Sequence, residues 1–104
     1  MPKIFQYLSY IIRFYTNEHL PIHVHVQIQD REIKVEFIFS EDELILIFKK
    51  VKNKTPLTEA EAKEVSVFLK QYHKQIIDKW NKMFVYHQQV NCEVINVKLK
   101  KKNR

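Results

Sequence analysis

His23 and His25 stand two residues apart in H-V-H-V-Q-I-Q, a run that alternates polar and apolar residues. Such alternation describes a half-buried strand, so both imidazoles project from one face with their Cα atoms about 7 Å apart. Two histidines so placed can share a divalent cation such as Zn. His19, on the loop before the strand, would add a third nitrogen, and Glu18 or Glu36 a carboxylate. The same pair suits acid–base chemistry, because histidine titrates near neutral pH. With Arg13 and Lys34 to meet phosphate, these residues form a minimal kit for metal-free phosphodiester cleavage. A third reading leaves the histidines as solvated side chains on the polar face of a sheet. Spacing alone does not choose among the three.

The surrounding pattern says what must hold these residues. Ile4 to Thr16 is rich in β-branched and aromatic residues and reads as one or two strands, with a turn near Ser9-Tyr10. Ile12, Phe14 and Thr16 share one face, and Arg13 and Tyr15 the other. Asn17 to Ile22 is a loop in which Asn17 can fold an Asx-turn and Pro21 stiffens the approach to the histidine strand. A turn at Asp30-Arg31 then leads into E-I-K-V-E-F-I-F. Here Ile33, Val35, Phe37 and Phe39 point to the core, while Glu32, Lys34 and Glu36 join the histidines. Asp-Arg suits a tight hairpin turn poorly, so an offset or bulge is expected. Ser40 to Glu43 is an acidic turn, Leu44 to Phe48 a further strand, and Lys49 to Thr55 a basic loop.

Leu57 to Phe84 reads as one long helix of about 40 Å. Thr58 and Glu61 form a capping box at its start. Val65, Phe68, Leu69, Tyr72, Ile76, Ile77, Trp80, Met83 and Phe84 make one apolar stripe, which places Tyr72 and Trp80 in the core. His73 falls at the flank of that stripe, and His87 beyond the helix end. C-E-V-I-N-V-K-L reads as a short strand or arm. The expected architecture is α+β: an antiparallel sheet of three to five strands on one long C-terminal helix. Residues 1–97 form a single domain, and 98–104 a disordered basic tail.

Composition narrows the function classes. The 104 residues include no glycine, which excludes every glycine-rich phosphate loop and leaves turns of positive φ to other residues. Cys92 is the single cysteine, so neither an internal disulfide nor a thiolate metal site is open to the chain. No leader pattern and no membrane-length apolar run is present, and the cytoplasm is the expected compartment. The net charge of +6 is unevenly placed: residues 1–48 hold four basic and seven acidic side chains, residues 49–104 fourteen and five. Lys49, Lys50, Lys52 and Lys54, with the Lys98–Lys102 stretch, could follow an RNA backbone, though lysines of this kind are commonly just solvated.

M-P-K-I-F, then R-F-Y-T-N-E-H-L-P-I-H-V-H-V, then a helix closing on W-N-K-M-F, resembles the small bacterial family called domain of unknown function 4160. The resemblance spans roughly residues 1–84. The motif positions here are Tyr15, Asn17, Glu18, His19, Pro21, His23 and His25, with Trp80 and Asn81 at the helix end. Members of the family are discussed as parts of toxin–antitoxin pairs. The resemblance therefore implies a small cognate protein as partner. The histidine motif and the basic C-terminal half add the expectation that the cluster binds or acts on RNA; the alternatives are a non-enzymatic protein-binding module and a metal-binding hydrolase using His19, His23 and His25. Self-association is a further expectation. The chain departs from the family's pattern at Leu8-Ser9-Tyr10 and Asp30-Arg31, where glycine is usual. The departures bear on the first hairpin and on the register of the second.

Overall fold

The computed structural model describes residues 2–15 and 20–100. Six strands form one sheet: β1 (Lys3–Tyr7), β2 (Tyr10–Arg13), β3 (His23–Ile28), β4 (Arg31–Ser40), β5 (Glu43–Lys50) and β6 (Glu93–Ile95). Their order is β5-β4-β3-β2-β1-β6. The neighbours are antiparallel except β6, which runs parallel to β1. The mixed α+β architecture is as expected, but the sheet is larger than three to five strands. The segment read as a strand or arm joins its edge, with Tyr7 beside Ile95.

The expected single helix is two, α1 (Glu59–Gln71) and α2 (His73–Phe84). The break falls at Tyr72, where φ is −108° and ψ 13°. A local cause is visible. The Nδ1–H of His73 donates to the Lys70 carbonyl at 2.7 Å, so a side chain enters the ladder of main-chain bonds, a recognised cause of kinks. The start of α1 is as expected: Thr58 Oγ1 accepts from the Glu61 N–H, and Glu61 Oε1 accepts from the Thr58 N–H at 2.8 Å.

Both helices pack on one face of the sheet through aromatic rings. Phe68 meets Phe5 edge-on at 5.3 Å and stacks on Tyr7 at 4.7 Å, and Trp80 stands edge-on to Phe14 at 5.2 Å. Ile12, Val24, Val26, Val35, Val65 and Ile76 fill the space between at full burial. The residues after α2 wrap back along the sheet edge. Lys79 is buried there, its ammonium 5.1 Å above the Phe5 ring, 2.7 Å from the Asn91 carbonyl and 3.0 Å from Glu93. Further on, Lys98 meets Glu64 at 3.6 Å, the Leu99 N–H donates to the Tyr7 hydroxyl, and Gln71 donates to the Lys100 carbonyl. Among the described residues, no helix is long and apolar enough to cross a membrane.

A chain without glycine must still turn. Leu8, Gln29, Glu41, Asp42, Asn53 and His87 adopt φ between 50° and 67°. Glu41 and Asp42 together make a two-residue loop between Ser40 and Glu43 with both central φ positive, the twist a hairpin prefers. Leu8 falls in the first stretch where the resemblance anticipates glycine, and Gln29 adjoins the second. The turns are Leu8-Ser9 and Gln29-Asp30, one residue earlier than expected in each hairpin. β5 also runs on through Lys50, so the basic loop starts later than its composition implies.

Candidate functional site

β2, β3, β4 and β5 carry the candidate residues on the face opposite the helices. Alternation sets which side chains share that face, and register sets which of them meet. Arg13 lies opposite His25, His25 opposite Lys34, and Lys34 opposite Lys49. One row across four strands is therefore composed of basic residues, spanning about 14 Å at the usual strand spacing. The next row pairs His23 with Glu36, and Glu36 with Ile47.

Carboxylates on either side of the row organise it. Glu32, a buried residue, accepts from the Tyr15 hydroxyl at 2.7 Å and from His25 Nδ1 at 3.1 Å, through the same Oε2. The Tyr15 ring stacks on the His25 ring with centroids 3.7 Å apart and 11° between planes. His25 is thus clamped by a ring on its face and a carboxylate at its edge. Glu36 lies 3.2 Å from Lys49 and 3.6 Å from Lys34. Burial raises its pKa, but the two ammonium groups outweigh burial and hold it below the usual carboxylate range.

His23 sits at the end of the strand, where the two faces meet. Its Nδ1 lies 2.9 Å from the Pro21 carbonyl, and its ring is edge-on to Trp80 at 5.6 Å and to His25 at 5.7 Å. A carbonyl only accepts, so Nδ1 carries the proton. With Glu32 Oε2 as acceptor, His25 Nδ1 likewise carries the proton in that bond. In both rings Nε2 is then the basic nitrogen, the arrangement of a positioned proton acceptor or a metal ligand. The solvated reading of the pair does not hold: His23 is 4% and His25 8% exposed. Trp80 is core, as its helical spacing implies, and Asn81 is exposed, its carbonyl accepting from Val85 and Tyr86. Pro21 follows a cis peptide bond from Leu20 and supplies the carbonyl that orients His23.

Arg13 completes the row from β2. One guanidinium nitrogen donates to Gln27 Oε1 at 3.3 Å. Its Nε is buried and has no hydrogen-bond partner among the described residues. Lys34 is partly buried beside Glu36, and Lys50, Lys52 and Lys54 are exposed at or beyond the end of β5. Asn17, Glu18 and His19 lie outside the described residues, as do Lys101 and Lys102. Among the described residues, no three histidine, cysteine or acidic side chains converge as a metal site would need.

Glu32 is the partner that sequence reasoning missed. A turn at Asp30-Arg31 would place His25 opposite Glu36. The observed turn at Gln29-Asp30 slides the register by two residues, keeping every face but giving His25 Lys34 as neighbour and Glu32 on the diagonal. The signal was faint: Gln29, not Asp30, opens the turn by taking a positive φ, which its residue type does not advertise.

Comparison with known proteins adds the family and nothing about chemistry. No curated protein and no solved structure matches the chain. A family match runs over residues 9–81, from the first turn through the histidine strand to the motif asparagine of α2. With the clamped histidines, Trp80 and Asn81 inside that match, the chain belongs to the family described as Domain of unknown function (DUF4160).

Proposed function

We propose that the histidine face is an anion-directed acid–base site acting on RNA, in a protein of toxin–antitoxin type. The observation that carries this reading is the row Arg13–His25–Lys34–Lys49, which sets two cations of β2 and β4 on either side of a histidine already oriented by a carboxylate. A phosphodiester would lie between the Arg13 guanidinium and the Lys34 ammonium. His25 Nε2 would take the proton of the ribose 2′-hydroxyl as its oxygen attacks phosphorus. His23, once protonated, would return a proton to the departing 5′-oxygen. Tyr15 and Glu32 would hold His25 in the tautomer the reaction needs.

The test is incubation of the purified protein with an end-labelled RNA in the presence of a chelator. Cleavage leaving a 2′,3′-cyclic phosphate is expected, with His25→Ala slower by about 10²-fold or more. RNA left intact by wild-type protein, together with normal growth of cells expressing it without a partner, would overturn the proposal. The shared tautomer of His23 and His25 also favours a second reading, in which their Nε2 atoms bind a divalent metal such as Zn in a metal-dependent hydrolase, with His19 and Glu18 as candidate further ligands. Elemental analysis of the purified protein separates the two, because stoichiometric metal supports only the second.

A further inference from the structure

Among the described residues, β5 has β4 on one side and an open edge on the other. An open edge presents main-chain donors and acceptors ready for another strand. Natural edges of this length are usually guarded, and here the guard is a pair of lysines at one end, in E-L-I-L-I-F-K-K. The rest of the strand is apolar. Leu44, Leu46 and Phe48 lean on the core, while Ile45 and Ile47 stand on the histidine face, 41% and 39% exposed.

The charge order along this strand is self-complementary: Asp42 and Glu43 precede the apolar run, and Lys49 and Lys50 end it. An antiparallel second copy, related by a two-fold axis normal to the sheet, must oppose residues of the same face. An axis through Leu46 sets Glu43 against the partner subunit's Lys49, Ile45 against the partner subunit's Ile47, and Leu44 against the partner subunit's Phe48. Just beyond, Asp42 meets the partner subunit's Lys50. Moving the axis to Ile45 sets Glu43 against isoleucine, and moving it to Ile47 sets Lys49 against isoleucine. The Leu46 axis matches charge with charge and apolar with apolar on both faces. Lys49 is half exposed beyond its contact with Glu36, which leaves it able to bridge both carboxylates.

We propose that the protein forms a two-fold homodimer through β5 in this register, giving one continuous sheet of twelve strands with both histidine clusters on the same side. The proposal is independent of the RNA reading. Sedimentation equilibrium of the full chain over about 1–100 µM should show monomer–dimer exchange with a micromolar Kd. Ile45→Lys, a substitution at an exposed position, should weaken the dimer by about tenfold or more, since it sets a lysine against the partner subunit's Ile47. The register is read by cross-linking in a Cys92→Ser background. Ile45→Cys mixed with Ile47→Cys should form a disulfide-linked dimer, and neither alone should do so as efficiently. A chain that stays monomeric across the range overturns the proposal. So does a dimer untouched by Ile45→Lys, or one that cross-links best through Ile45→Cys alone or Ile47→Cys alone.

Discussion

Replacing Glu32 by glutamine keeps the shape of the His25 clamp and removes its charge. In the native protein one carboxylate oxygen accepts from Tyr15 at 2.7 Å and from His25 at 3.1 Å, at a buried position. Hydrogen bonds to a charged acceptor contribute about 1.5–3 kcal/mol each, and neutral ones about 0.5–1.5. Two such downgrades cost about 2 kcal/mol, less whatever is recovered because an amide is easier to bury than a carboxylate. With an unfolding entropy near 2.1 cal/mol/K per residue, a chain of 104 residues loses about 5–9 °C of Tm for about 1–2 kcal/mol. Glu32→Ala should cost more, about 3–4 kcal/mol, because both donors are left facing a void. Calorimetry reads the stability, and nitrogen-15 NMR of the imidazole reads the tautomer. Wild type should show His25 protonated at Nδ1, and Glu32→Gln a mixture, because its amide can turn to donate. A Tm within about 2 °C of wild type in both variants, with the tautomer unchanged, would refute Glu32 as the group that orients His25.

Four further outcomes follow from other parts of the molecule. The Arg31 guanidinium, with burial opposing it and the Thr58 N–H assisting it, holds the Glu61 carboxyl down to about 2. Its stabilising contribution is therefore complete above the ordinary carboxylate range and is lost as pH falls from about 4.5 toward 2, so Glu61→Gln should flatten the acid limb of a stability–pH curve. Gln29→Gly relieves a positive φ of 55° and should stabilise by about 0.5–1 kcal/mol in denaturant titration, since the left-handed conformation disfavours a Cβ. Phe68→Ala, at a fully buried ring touching Phe5, Tyr7 and Tyr72, should cost about 3–5 kcal/mol in the same assay. Lys79→Ala removes the tie to Asn91 and Glu93, and hydrogen exchange should show protection lost in β6 while β2 to β4 keep theirs.

Much of this fold is written in local patterns. Period-two alternation put Val24, Val26, Ile33, Val35 and Phe37 in the core, as observed, because a strand has only two faces and the core needs one of them. Phe39, expected with them, lies near the end of β4 and is 52% exposed. The capping box at Thr58 marked the start of α1, since it is a contact within one turn. The family, too, was legible, in the histidine run and the W-N pair.

Three features needed the tertiary structure. Which residue faces His25 depended on where a glycine-free turn placed its positive φ, and a shift of two residues changes partners without changing faces. The break at Tyr72 followed from where the His73 ring could reach, which the apolar stripe running through it conceals. The Tyr15 ring stacks on buried His25, a contact across ten residues of sequence that no periodicity encodes. Residue types and spacing determined that two histidines would share a strand of a sheet. Only long-range packing and register, which depend on the summed geometry of turns and layers, decided that they are clamped, buried and set in a basic row.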